Sequence, residues 1–310
     1  MINTLTLNPA IDHIFYLGRL ERNVTNRLRA TAVSVGGKGT HVSANLKLMG
    51  TDSRAFGFTF GRNGEKILEM LGEAGVSTHF VHGEGQESRD NYLLVEEASR
   101  DCTLIAQTGP MPDDEQLSAL MDVMTREIQP GDDLLLSGDV SNFRGRDIYA
   151  WILERLSHKN LRVYLDASGE TLKAGITRKP FLIKPNLDEL AALAGRVPTS
   201  LQEVAKAIGE LDGLGIEIIA VSLGGGGSLV RAGDKLYHAA APRVAVYNTV
   251  GCGDCYMAGL MHAFSRGFAM EDTIRYATAV AAAKAENPLS VGFEPQRARE
   301  LMDSVSIALI

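Results

Sequence analysis

The sequence predicts an α/β fold with three layers, helix on sheet on helix, around a mostly parallel central sheet, with a small second sheet as a lid. From Asp113 onward, apolar strand-like runs alternate with runs of helical period, the pattern that buries a parallel sheet on both faces. Four short polar strand signals in the first third of the chain fit no layer of that sheet. Several glycine-rich turns stand where strands give way to helices, at the sheet edge where ligands of such folds bind.

Taken in order, Ile2 to Leu7 alternates with threonines and ends at Asn8-Pro9, a strand and a turn with Asp12 just after it. His13 to Leu17 and Arg27 to Val35 are strand-like but short and polar. Gly36-Gly-Lys-Gly39 opens a helix with Val42, Leu46 and Met49 in helical spacing and Gly50 as its stop. Ser53 to Phe58 reads as a strand and Ile67, Leu71 and Ala74 as one helix face, closed by Gly75. Asn91 to Val95 and Cys102 to Gln107 are two more short strands. The lid is therefore built from two excursions, at about residues 12–35 and 88–108, out of a single domain of residues 1–310.

The regular alternation then sets in. A helix from Asp113, strand 133–137, a helix from Arg146, strands 161–165 and 181–184, helices from Asn186 and Ser200, and strand 216–223 follow. Two Ala-rich helices flank Met270. Gly224-Gly-Gly-Gly-Ser228 lies between strand patterns, so it reads as a tight turn that approaches phosphate rather than as a linker.

Composition narrows the function. The 31 basic and 38 acidic residues leave a formal charge of −7 with no charged block, which argues against nucleic acid or an anionic membrane as partner. No apolar run approaches a membrane span. The three cysteines cannot form a disulfide framework and no leader pattern is evident, so a cytoplasmic, reduced protein is expected.

The most chemical stretch is Asn248-Thr-Val-Gly-Cys-Gly-Asp-Cys255, which runs into a helix. Gly251, Cys252 and Gly253 fold tightly at a helix start, where unpaired N–H groups and the positive dipole end converge on an anion. Asp254 in the first turn can take a proton from a hydroxyl that attacks a phosphate held there. Taken alone, the tetrapeptide also suits an ordinary acidic helix cap, and Cys252-x-x-Cys255 at a helix start also suits a thiol redox pair.

Five motifs together decide among these: Thr6-Leu-Asn-Pro-Ala-Ile-Asp12, Gly36-Gly-Lys-Gly39, Lys184-Pro-Asn-Leu-Asp-Glu-Leu190, Val221-Ser-Leu-Gly224 and Thr249-Val-Gly-Cys-Gly-Asp254. In this order they resemble the ribokinase-like (PfkB) carbohydrate kinase family, in its branch of 1-phosphofructokinases and tagatose-6-phosphate kinases. The resemblance implies a ribokinase-like domain that phosphorylates a sugar hydroxyl with ATP and Mg²⁺. Asp254 would then be the base, and the N–H groups of Gly251 to Gly253 would hold the transferring phosphoryl. Asp12, Gly36, Gly37, Lys38, His41, Arg89 and Ser137 would face the sugar or its phosphate. Lys184, Asn186, Ser222, Gly224, Gly227 and Asn287 would line the nucleotide site. Asn186 and Glu189, an N-x-x-E element, would order the magnesium through water. Read locally, the same pair is an N-cap with a first-turn glutamate. A homodimer through the lid is implied as well. The expected acceptor is a ketohexose phosphate, fructose 1-phosphate before tagatose 6-phosphate before an unphosphorylated sugar.

The chain departs from the family pattern at particular positions. Cys252 and Cys255 replace the usual alanine and serine, and His41 stands where asparagine is usual. Asp139 puts a carboxylate near the acceptor site, to be offset by Arg144, Arg146 or His41. Gly36 to Lys38 is not a Walker A loop, because residue 32 is alanine and Gly39 follows the lysine. A thiol redox protein and a non-catalytic sugar-binding regulator are the readings from other classes.

Overall fold

The computed structural model describes residues 1–143 and 147–310. The chain begins with β1 (Ile2–Thr6), then makes a first excursion as β2 (Ala10–Leu17) and β3 (Ala30–Gly36) before α1 (Lys38–Leu48). After β4 (Ser53–Phe60), α2 (Gly61–Glu73) and β5 (Ser77–Gly83), a second excursion forms β6 (Arg89–Glu96) and β7 (Cys102–Ala106). Alternation follows through α3 (Asp114–Glu127), β8 (Asp133–Ser137), α4 (Ile148–Arg155), β9 (Arg162–Asp166), α5 (Gly169–Ile176), β10 (Leu182–Ile183), α6 (Leu187–Ala194), α7 (Leu201–Gly209) and β11 (Ile218–Ser222). The chain closes with the hairpin β12 (Ser228–Ala232) and β13 (Lys235–Ala240), then α8 (Cys252–Ser265), α9 (Met270–Ala285), α10 (Pro295–Met302) and β14 (Ser306–Leu309).

Among the described residues, ten strands form one sheet in the order β14-β13-β12-β11-β10-β9-β8-β1-β4-β5. The pairings from β11 to β5 are parallel, and β12, β13 and β14 add an antiparallel edge. Strand period 2 sends alternate residues to opposite faces, so each strand feeds two cores. Leu134, Leu136, Ile219 and Val221 pack with α3 to α7, while Leu135, Ile218 and Ala220 pack with α1, α8, α9 and α10. Burial on both faces explains why the parallel strands read as continuous apolar runs.

The second sheet has the order β3-β2-β6-β7, with β2 and β6 parallel and the outer pairs antiparallel. Ile14, Leu93 and Val95 form its small core, which rests on Val250 and Leu289 beside the motif at 248–255. The two excursions therefore meet over the carboxyl ends of the parallel strands, as the sequence implied.

Several expectations are corrected in detail. The first lid strand starts at Ala10 and runs eight residues, so Asp12 lies within it, and one face of this strand is buried rather than polar. Strands β5, β13 and β14 and helices α5 and α10 escaped the sequence reading. Both β5 and β14 are half-exposed sheet edges, where polar residues are tolerated and the apolar signal fades. Helix α4 starts at Ile148 with Asp147 as its N-cap, its side chain accepting from the Ala150 N–H at 3.2 Å. Arg144 and Arg146, invoked as a helix start and as counter-charges, lie outside the described residues.

Candidate active site

A cavity of about 1210 Å³ opens between the two sheets, floored by the carboxyl ends of β1, β8, β10 and β11 and roofed by β2, β6 and β7. Fifteen of the residues singled out from sequence line it: Asp12, Gly37, Lys38, His41, Arg89, Lys184, Asn186, Glu189, Ser222, Gly224, Gly227, Gly251, Cys252, Gly253 and Asp254.

The start of α8 has the geometry of an anion cradle. Gly251 is its N-cap at φ 84°, and a Cβ there would lie 1.9 Å from the Ser290 carbonyl oxygen, so only glycine fits. No side chain caps this helix, and Gly253 and Asp254 occupy positions whose N–H groups have no acceptor within the helix. A glycine cap with open N–H groups leaves room for an incoming anion. Asp254 is buried in that first turn, at the edge of the cavity.

Beside the cradle sit two lysines on one aspartate. Lys38 Nζ lies 2.8 Å from Asp166 Oδ1 and 3.8 Å from Glu189 Oε1, and Lys184 Nζ lies 3.3 Å from Asp166 Oδ2. A Cβ on Gly253 would lie 3.3 Å from the same Lys184 ammonium, which places that charge against the helix start. Burial pushes the Asp166 carboxyl up, but Lys184 and Lys38 outweigh it and hold it below the ordinary range. Burial likewise opposes the charge on Lys38, yet Asp166, Glu189 and Asp254 together raise its pKa. Asp166 was not foreseen, although its place at the carboxyl end of a parallel strand marks such positions as candidates.

On the lid side, sheet register explains the cluster. Asp12 on β2 lies directly across from Asn91 on β6 and Ser34 on β3, all on the inner face of the lid. Asn91 donates to Asp12 Oδ1 at 2.9 Å and Ser290 donates to Oδ2 at 2.8 Å. Asn8 and Asn91 also line the cavity and were missed: Asn8 stands in the motif of residues 6–12 but was given no role there, and Asn91 stands in none. Arg89 is buried and already engaged. It donates to the Asn8 carbonyl at 3.1 Å and the Gln107 carbonyl at 3.1 Å, and its Nη1 lies 3.2 Å from Asp139 Oδ2. Among the described residues, Arg89 is thus the neutralising partner of Asp139.

Three expected site residues stand off the cavity. Gly36 leaves room for Asp12 rather than for a ligand, since a Cβ there would lie 2.1 Å from Asp12 Oδ1. Ser137 is fully buried at the end of β8. Asn287 accepts from the Leu289 N–H at 2.8 Å and so closes a turn outside the lining. Asn186 and Glu189 form a capping box, the Glu189 N–H donating to Asn186 Oδ1 at 2.8 Å and the Asn186 N–H to Glu189 Oε2 at 2.9 Å. The local reading of that pair is therefore realised, while Glu189 Oε1 faces Lys38.

The cysteines lack the surroundings of an activated redox pair. Burial raises the pKa of Cys252 and raises that of Cys255 well above the ordinary thiol value, the reverse of an activated thiolate. Behind them Lys284 is fully buried and donates to the Asn248 and Asn287 carbonyls at 3.1 and 3.4 Å, with burial lowering its pKa.

A carboxylate in the first turn of a helix whose N–H groups are open, facing a cavity under a second sheet, is a layout suited to phosphoryl transfer. The sequence profile of the pfkB family carbohydrate kinases matches residues 5–296. The chain belongs to that family. The 1-phosphofructokinase of Bacillus subtilis (strain 168) is similar to it, with 34% identity over 275 residues and 89% of each chain covered. Two crystal structures of phosphofructokinase-2 from Escherichia coli share the fold over 98% of each chain. One, in complex with substrates and products, superposes with a TM-score of 0.88 at 23% identity, and the tetrameric inhibited form with 0.86 at 24%. Membership in the pfkB family makes this chain a carbohydrate kinase, and the thiol redox and non-catalytic readings fall with it. Among the described residues no helix is long and apolar enough to cross a membrane.

Proposed function

We propose that this kinase transfers the terminal phosphoryl group of ATP to a hydroxyl of a ketohexose phosphate, with fructose 1-phosphate as acceptor and fructose 1,6-bisphosphate as product. The observation that carries the reading is the placement of Asp254 between the N–H cradle of α8 and the lid residues Asp12 and Asn91. The acceptor hydroxyl lies against Asp254, which takes its proton, while Lys184 and the cradle hold the charge of the transferring group. Asp12 fixes sugar hydroxyls, and Lys38 answers negative charge.

The residues suit a nucleoside triphosphate. Leu223, Val244, Val246, Ala281, Ala282 and Ala285 give the cavity an apolar wall next to the turn at Gly224–Gly226, the pairing that a flat base and a phosphate tail need. Glu189, with one oxygen in the capping box and the other toward Lys38, suits a magnesium held through water, and Asn186 orders it through the cap. Mg²⁺, when bound, screens charge on the phosphates.

One observation favours a second acceptor. Because Arg89 is held by Asp139, the acceptor site has less free positive charge than a phosphosugar demands, which favours an unphosphorylated sugar. Tagatose 6-phosphate remains the other phosphorylated acceptor to be compared. Values of kcat/KM for fructose 1-phosphate, tagatose 6-phosphate and fructose with Mg²⁺-ATP decide it. Fructose 1-phosphate is expected to lead by at least about tenfold, and a lead for fructose sinks the assignment.

Assembly follows from the lid's outer face. Cross-strand register aligns Val33, His13, Tyr92 and Ile105 in one row, with Val33 44% and Ile105 54% exposed. A mixed apolar row over two exposed edges suits pairing with a second copy, and we propose a homodimer through the lids in the cytoplasm. Sedimentation at micromolar concentration is expected to give twice the chain mass, and a monomer alone removes the proposal.

A further inference from the structure

His41 is a buried ionisable group in contact with both Asp254 and Asp12. Its ring, 3% exposed in the first turn of α1, reaches Asp254 Oδ2 with Nδ1 at 2.6 Å and the Val35 carbonyl with Nε2 at 2.8 Å, and Nε2 also stands 3.6 Å from Asp12 Oδ2. A backbone carbonyl only accepts, so Nε2 carries a proton. A carboxylate that serves as base is ionised and also only accepts, so on that reading of Asp254 Nδ1 carries a proton too and the ring is an imidazolium.

We propose that His41 is a positioning residue for phosphoryl transfer: its imidazolium clamps Oδ2 of Asp254, so that Oδ1 is the oxygen presented to the acceptor hydroxyl, and ties that base at fixed spacing to Asp12. The inference rests on the reading of Asp254 as the base. An amide in this place has a single nitrogen and cannot make both contacts, so the histidine adds a link between lid and core as well as a charge. The groups facing the ring fit this charge state. Asp12 comes from β2 and Asp254 from α8, while Lys38 on α1 and Lys284 on α9 lie farther off and interact with Asp254 at longer range. Burial alone lowers the pKa of His41. Hydrogen bonds and charges from Asp12 and Asp254 together outweigh burial and raise it to about 10.

The test compares the wild type, His41→Asn, His41→Gln and Asp254→Asn, with Mg²⁺-ATP and the best acceptor of the panel. The asparagine keeps a donor near the place of Nδ1 and the glutamine one near Nε2. Both are expected to fold, as judged by circular dichroism. The glutamine variant is expected to lose about 10- to 100-fold in kcat, the asparagine variant less, and neither to change the KM for ATP more than about threefold, as for the loss of a group that orients a base. Wild-type kcat should fall as the pH rises through about 10, where the ring loses its proton, and both amide variants should lack that limb. Wild-type turnover in both variants with the alkaline limb kept overturns the clamp. If Asp254→Asn is inactive in that case, the base reading survives and only the clamp fails. If Asp254→Asn is itself active, the base reading fails and the clamp with it. Should the glutamine variant not fold, the asparagine variant and its pH profile carry the same decision.

Discussion

Asp254→Asn is expected to lower kcat at least about a hundredfold while leaving the affinity for ATP within a few-fold of the wild type. Asparagine preserves the size of the side chain and leaves the N–H cradle of α8 undisturbed, so the donor half of the cavity is not perturbed. What is lost is the acceptor for the hydroxyl proton. A positioned general base contributes about 10²–10⁴ in rate, or about 3–5 kcal/mol of transition-state stabilisation. Single-turnover phosphoryl transfer, read beside equilibrium binding of ATP, separates the two effects. Near-normal turnover by the variant would dismiss Asp254 as the base.

Asp166→Asn should be the most destabilising change in the site. The wild-type carboxylate is fully buried and holds Lys38 and Lys184, and Lys184 is itself only 5% exposed. Removing one partner of a buried ion pair leaves an uncompensated charge and typically costs about 3–5 kcal/mol. Urea unfolding at neutral pH should show a loss of that order, together with weaker ATP binding as the Lys184 ammonium moves away from the helix start. The pH dependence has a definite sign. The carboxyl is held below its ordinary value in the folded chain, so its contribution is present above about pH 4, the unfolded value, and is lost as the pH falls through the folded value. The gap between wild type and variant should therefore narrow in acid. Equal stability of the two at neutral pH would contradict the role assigned to Asp166.

How much of this was legible depends on whether a residue's role is local. The helix start was, because Gly251 to Asp254 are consecutive and a helix start presents its N–H groups wherever it lies. The parallel sheet was as well, since strands such as Leu134–Leu136 are apolar on both faces. Asp166 and Asn91 were hidden, because their partners Lys38, Lys184 and Asp12 lie far away in the chain and only the sheet order brings them together. Arg89 was found, but its engagement by Asp139 was not, since a sequence does not say which of several arginines reaches a carboxylate. His41 stood out only as a departure from the family pattern. Its contact with Asp254, 213 residues away, depends on the packing of α1 against α8. Edge strands β5 and β14 failed for the opposite reason: their half-exposed sequences carry little pattern to read.

The parallel pairing of β2 with β6 also sets an order of assembly. Asp12 and Asn91 are 79 residues apart, and α1, β4, α2 and β5 lie between the two excursions. No turn can zip these strands together, and closing so long a loop costs chain entropy that a hairpin avoids. The lid side of the cavity is therefore expected to close later than the start of α8, an order that pulsed hydrogen exchange of β2, β6 and α8 amides would check. The helix start is set by local structure and the lid side of the cavity by topology, so native-state hydrogen exchange is expected to open the β2–β6 pairing before α8.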